Sequence, residues 1–441
     1  MTTPAQAPAR PPDPTLRQLL TRMVLGEDDA ARPRDEGPRG PVDRVLVLLV
    51  LGLTLFGLVM VFSASAIDAV ESTGSPYYFL ERQGVAAVLG ILGLVAFARI
   101  PSHRLGRVGM VLYGACLLGL IAAIIPGLGH RANGAARWLA FGSLRLQPSE
   151  FMKLALLLVV ADRVNRHPGG LTDPRHAALP ILGLTLPVLA LVVLQPDFGT
   201  TVILAGTVGF VLFLGGVSLR WTCVLGALTV AAAVPFVLLD SYRLARVSSW
   251  LDPWENFSKG GYQVIMGWVA LHHGGLWGQG LGQAMSSQKW LPFAHTDFIA
   301  AVTGEELGFA VVALLLGAYG VLIWRGARIA VRSRSYFGTL VAGAVTIVLG
   351  AQTLFNLGVI LGFVPPKGLV LPFMSYGASA LVAHLWSVGV LLSISTELEA
   401  PALAHAAGGG GRGRLIPVQI GAGMARWGRL ARATALRRSA S

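Results

Sequence analysis

The chain has 441 residues, 54% of them hydrophobic and only 13% charged, with a formal net charge of +13 and a mean hydropathy of +0.64. Ordinary soluble domains carry roughly a quarter charged residues, so this composition excludes a water-soluble enzyme and points to a protein dissolved in lipid. The two cysteines, Cys116 and Cys223, lie far apart in apolar stretches, which argues against a disulfide framework or a thiolate metal site.

Residues 1–43 are a Pro/Arg-rich tail of disordered composition, and no secretory signal is read there because the first apolar run begins only after it. Taking about 20 apolar residues as one bilayer crossing, ten spans are predicted. They begin near Val45, Arg82, Val108, Glu150, Ala177, Gly199, Trp221, Phe298, Gly338 and Phe373. The expected fold is thus an all-α polytopic membrane protein, with a ten-helix membrane domain over 44–397 and a Gly/Arg-rich tail over 398–441. Two connections are long, 126–149 and 240–296, the second between helices 7 and 8. Loops of that length in a compact protein usually carry function. Within the second, Tyr262 to Leu276 is apolar but too short to span.

Arginine alternates between connections as the positive-inside rule requires. With the N-terminus inside, the cytoplasmic segments hold Arg99, Arg104 and Arg107; Arg163, Arg166 and Arg175; Arg220; and Arg325, Arg328, Arg332 and Arg334. An even number of spans returns both tails to the cytoplasm, while Lys153, Lys259, Lys289 and Lys367 fall in or beside outward connections. The net charge is therefore assigned to anionic lipid rather than to nucleic acid. The AAGGGGRGR tail reads either as an interfacial helix or as a solvated end.

The segment LPFAHTDFIAAVTGEELGF, 291–309, sets His295, Asp297, Glu305 and Glu306 at the mouth of an apolar span. Ionisable groups at membrane depth are costly and mark function by default. Asp297 directly precedes an apolar run, so it reads either as a helix N-cap or as a chemical group. Asp197 has the same two readings, N-cap or cavity wall. Glu150 and Lys153 are three apart and share a helix face, where they would neutralise one another. Glu305 and Glu306 read as partners of Lys153, as a proton-sharing pair, or as part of the site.

Five motifs carry a resemblance. ARWLAFGSLRLQPSEFMK (136–153), QPDFGT (195–200), GLWGQGLG (275–282), LPFAHTDFIAAVTGEELG, and NLGVILGFVPPKGLVLPFMSYGASA (356–380) together resemble the SEDS family, the polytopic peptidoglycan glycosyltransferases that include FtsW and RodA. Phe198 and Lys367 are similar to the division-associated FtsW branch. Two positions depart from the family pattern: Phe293, where Glu is common, and SYGASA in place of SYGGSS.

The resemblance implies polymerisation of lipid II at the outer face of the bacterial cytoplasmic membrane, at the division septum, with release of undecaprenyl pyrophosphate. Asp297 is then the general base. Arg137, Arg243, Arg246 and Lys367 are the outward cations placed to hold pyrophosphate, with snorkelling toward head groups as the plainer account. Trp138 would stack on a sugar or anchor at the interface. Glu150, Lys153, Asp197, His295, Glu306 and Ser375 complete the expected substrate-binding set; a structural hydrogen bond is the plain reading of His295, and a tight turn that of Ser375. No cofactor is specified. A divalent cation, Mg or Mn, would suit a pyrophosphate leaving group, yet no ligand cluster in the sequence identifies one. The implied partners are a class B penicillin-binding protein and other divisome proteins, with membrane lipid around the spans. Two alternatives stay open: a lipid II flippase or transporter, and a scaffold that only recruits a transpeptidase.

Overall fold

The structure, a computed structural model, describes residues 39–132, 135–141, 144–166, 179–217, 223–224, 226–227, 241–285, 290–366 and 368–398. Most of both tails and the span expected near Trp221 lie outside the described residues. The chain opens with α1 (Arg44–Thr73), whose start is capped by the Asp43 carboxylate accepting from Leu46 N at 3.0 Å. Its end is Gly74, at φ 77, the left-handed turn that glycine adopts without a Cβ penalty. α2 (Tyr78–Arg99) and α3 (Ser102–Ile124) follow, broken at Pro101, which cannot continue a helix.

The connection after α3 corrects the all-α expectation. It forms a three-stranded antiparallel sheet of β1 (Gly129–Ala132), β2 (Ala135–Phe141) and β3 (Leu144–Leu146), in the order β1-β2-β3. The strands pair Gly129 with Leu139 and Leu139 with Leu146. Strands this short carry too few residues for alternation to announce them, and they are stabilised by one another's backbone groups.

α4 (Pro148–Arg166) is the centre of the bundle. Its residues from Pro148 to Ala161 are all buried, with α3, α6, α10 and α11 packed around it. α5 (Leu179–Leu194) and α6 (Phe198–Leu214) are apolar but shorter than the other spans. In the long connection, α7 (Ser241–Leu251) and one 3₁₀ turn lead to α8 (Gly261–Gly274). At 14 residues α8 is about 21 Å long, well short of a bilayer core of about 30 Å, as the sequence suggested.

The last three helices are α9 (Ile299–Arg332), α10 (Tyr336–Ile360) and α11 (Ala378–Ser395). Six helices, α1, α2, α3, α9, α10 and α11, are long and apolar enough to cross a membrane. The chain is a mostly helical polytopic membrane protein. α11 begins five residues later than the expected Phe373, because residues around Pro372 and Phe373, the latter at φ 67, turn instead of winding. α2 lies along α11, and Gly93 and Gly389 make that approach possible: a Cβ on Gly93 would collide with the Trp386 indole, one on Gly389 with Leu94 O.

α9 is broken at Gly308, at φ 81 and ψ 173. The glycine-rich segment 275–280 replaces the hydrogen bonds lost there. Gln279 N and Gly280 N donate to Glu305 O and Glu306 O at 2.9 and 2.8 Å, while Phe309 N and Ala310 N donate to Gly275 O and Leu276 O at 2.9 and 3.2 Å. A broken helix in an apolar bundle persists only where other backbone satisfies it.

Candidate active site

Asp297 stands in the turn before α9 and does not cap it. The N-cap is Phe298, without a side-chain cap bond, so the capping reading of Asp297 is not what the structure shows. The turn closes on Phe293 O, which accepts from Thr296 N at 3.1 Å and Phe298 N at 3.3 Å. Phe293, the position that departs from the family pattern, is exposed and sits at φ 58, a left-handed conformation costing a residue with a Cβ about 1 kcal/mol or more. Phe298 is buried beneath and anchors the turn.

The Asp297 side chain is half-buried and faces the segment after α10. A side-chain carbon built on Gly368 would stand 4.0 Å from Asp297 Oδ2, so glycine there leaves the carboxylate open. Burial pushes its pKa from 3.8 to about 7, against the opposing pull of the Arg246 guanidinium. A carboxylate poised near neutrality is what a general base requires.

Arg246 comes from α7, and its Nη1 donates to Pro366 O at 3.4 Å. One turn along, Trp250 Nε1 donates to Gly362 O at 2.8 Å and fastens α7 to the segment following α10. Asp297, Arg246 and residues 366–369 thus converge from three parts of the chain. Lys367, within that segment, and the side chain of Arg243 lie outside the described residues.

Arg137 belongs to a different group. Its Nε donates to Gln195 O at 2.9 Å and its Nη2 to Pro196 O, while Nη1 lies 4.0 Å from Asp197 Oδ1. Its guanidinium is occupied by the QPD turn. Asp197 is the N-cap of α6, accepting from Thr200 N at 3.3 Å and Thr200 Oγ1 at 3.0 Å. Trp138, beside Arg137 on β2, is half-buried.

The family model described as "Cell cycle protein", covering FtsW, RodA and SpoVE, matches residues 43–400. The chain belongs to that family. A probable peptidoglycan glycosyltransferase FtsW of Allochromatium vinosum is 42% identical over 362 residues, 81% of this chain and 90% of that protein. The corresponding protein of Geobacter metallireducens is 37% identical over 357 residues, 81% of this chain and 95% of the relative. A solved chain described as "structural coordination of polymerization and crosslinking by a peptidoglycan synthase complex" matches with a TM-score of 0.65 and 33% identity, covering 80% of this chain and 97% of that one.

The remaining SEDS motif residues divide between two places. Glu150 and Lys153 form an ion pair of 2.7 Å in the bundle centre, both side chains more than nine-tenths buried. Gln352 and His384, joined at 2.9 Å between Oε1 and Nε2, line the same small cavity of about 10 Å³. Glu306 pairs with neither Lys153 nor Glu305 by hydrogen bond: both its oxygens accept from Ser63 Oγ at 2.7 Å. Glu305 accepts from Met285 N at 3.1 Å and so holds the loop after α8. These acids tie the broken half of α9 to its neighbours.

In the same turn as Asp297, the His295 ring packs tilted against Phe79 at 4.7 Å and edge-on against Tyr376 at 5.6 Å, and its carbonyl accepts from Tyr376 N at 2.9 Å. Burial pushes the imidazole pKa below its usual 6.5, with the Asp68 charge opposing. Ser375 is buried, and its hydroxyl accepts from Leu371 N at 2.9 Å.

Sequence reasoning passed over two buried amides. Gln83 donates to Ser375 O and accepts from Gly377 N, each at 3.1 Å, clamping the SYG turn. Asn356 donates from Nδ2 to Asp297 O at 3.0 Å and Leu369 O at 2.9 Å. The signal lies in the sequence: an amide in an apolar run is costly unless its hydrogen bonds are met, so each implies a buried partner. Among the described residues no three His, Cys, Asp or Glu side chains converge as metal ligands would, so no protein cradle is assigned to a Mg or Mn ion.

Proposed function

We infer that this chain is a peptidoglycan glycosyltransferase of cell division, extending glycan strands from lipid II at the outer face of the cytoplasmic membrane. The observation that carries this reading is Asp297, a half-buried carboxylate in a non-helical turn beside Gly368, raised to about 7 by burial and acted on by the Arg246 charge. The names of the relatives point the same way. A sugar hydroxyl of one lipid-linked disaccharide attacks the anomeric carbon of another. Asp297 takes the hydroxyl proton, the carbon–oxygen bond to phosphate breaks, and undecaprenyl pyrophosphate departs with the bond's electron pair.

Arg246 supplies positive charge beside the reacting groups, and the role of receiving pyrophosphate is assigned to it together with Arg243 and Lys367. Arg137 and Asp197 contribute to substrate binding through the QPD turn, with Trp138 against a sugar. Glu150, Lys153 and Glu306 brace the bundle beneath the site, and His295 and Ser375 hold the turns beside Asp297. The membrane domain takes ten spans over 44–397, both tails lie in the cytoplasm, and the connections 126–149 and 240–296 face outward. A class B penicillin-binding protein crosslinks the product within the divisome at the septum; the solved relative is itself described as part of a synthase complex.

The test is incubation of the purified chain, alone and with its transpeptidase, with labelled lipid II. Wild type is expected to yield polymer and free undecaprenyl pyrophosphate, and Asp297→Asn neither. Movement of intact lipid II across a vesicle without polymer would replace this reading with a flippase, and an active Asp297→Asn would remove the base.

A further inference from the structure

The bonds of Asn356 bear on how Asp297 is held. The side chain is 1% exposed, one turn from the end of α10. Both amide protons are committed, one to Asp297 O at 3.0 Å and one to Leu369 O at 2.9 Å. The flipped amide would turn Oδ1 onto two carbonyl oxygens, so these partners assign its orientation.

The two carbonyls belong to segments that the chain connects only through α9 and α10. One is the turn that carries Asp297. The other runs from Pro366, the acceptor of Arg246, through Gly368, which faces Asp297 Oδ2, to Leu369. Leu369 is itself buried, which ties this segment into the bundle. One buried amide therefore sets the separation between the carboxylate and the segment on which the arginine rests.

We propose that Asn356 is a positioning residue for Asp297, fixing the carboxylate relative to Arg246 and the 366–369 segment through the main chain. This rests on the reading of Asp297 as the base. Asn356 does not touch substrate. Its contribution is geometric, and a misplacement of about 1 Å at a reacting group costs on the order of 100-fold in rate. Among described groups, the charge acting on Asp297 from neighbouring elements is Arg246 of α7, while His295 of the same turn is caged between aromatic rings.

The experiment uses the full chain with its transpeptidase, labelled lipid II, and the variants Asn356→Ala, Asn356→Leu and Asp297→Asn, each normalised to folded protein by gel filtration and thermal melting. Both Asn356 variants are expected to lower kcat by about 10- to 100-fold with KM changed less than about twofold, the pattern of a lost transition-state geometry. Their acid limb should move to lower pH, because a loosened turn admits water to the carboxylate. Leucine removes the donors without opening a cavity, so agreement between the two variants separates lost hydrogen bonds from lost packing. Wild-type kcat and an unmoved acid limb in either variant would overturn the proposal, as would a loss confined to KM. An inactive Asp297→Asn beside normal Asn356 variants removes this inference alone. A fully active Asp297→Asn removes the base assignment, and this inference falls with it.

Discussion

Lys153 Nζ lies 2.7 Å from Glu150 Oε2, one helical turn apart on a helix buried along most of its length. Neither charge would be tolerated there alone, since the cost of desolvating an ion exceeds what scattered dipoles return. Lys153→Met is expected to destabilise the protein by about 3–5 kcal/mol, because it leaves Glu150 buried and uncompensated. Adding Glu150→Leu should recover much of that loss. Thermal unfolding of the purified protein in detergent, followed by tryptophan fluorescence, checks this. A double variant as unstable as the sum of the singles would show that the pair is not coupled.

The pH dependence of polymerisation follows from Asp297. A base acts when ionised, so the rate should fall on the acid side with a midpoint near 7. The same shift has a stability counterpart of fixed sign. A carboxyl whose folded-state pKa lies above its ordinary 3.8 binds protons more tightly when folded, so its stabilising contribution is present below about 3.8 and lost as pH rises through about 7. Melting temperature measured across that window should decline less steeply in Asp297→Asn than in wild type.

Arg246 pulls the Asp297 pKa downward. Arg246→Met is therefore expected to move the acid limb of the rate profile to higher pH and to lower kcat as positive charge beside the leaving group is lost. A limb that stays in place in this variant would place the arginine's charge away from Asp297.

Gly308 breaks α9 at a positive φ, and a Cβ there would strike Leu276 O and Gly278 N. Gly308→Ala should unseat the glycine-rich segment 275–280, with a strain cost of about 1–3 kcal/mol. Limited proteolysis reads this directly, because faster cleavage within 275–283 is expected in the variant. Equal cleavage rates in both proteins would mean that the segment is held by other bonds.

Much of the fold was legible because lipid imposes it. Six long apolar helices, with α5 and α6 as the shorter pair, appear at or near the predicted places, since a run of apolar residues in lipid has no alternative but to satisfy its own backbone. The sheet at 129–146 was not legible. Its strands of three to seven residues lie outside the helical runs, and pairing depends on segments meeting in space. The same holds for Gly308: the glycine is visible in the sequence, but the loop that makes a break affordable is not.

The residue types of the site were set by the sequence alone: an aspartate before an apolar run, arginines in the long connections, an acid and a base three apart. Their partners were decided only by the tertiary structure. Arg137 turned to the QPD backbone, Lys153 to Glu150, Glu306 to Ser63, and Asp297 away from the helix it precedes, toward Arg246. The physical reason is that cost and partner are separate quantities. The burial cost of a polar group follows from hydropathy along the chain, whereas its relief depends on which distant backbone or side chain comes within about 3 Å, and only the folded bundle fixes that distance.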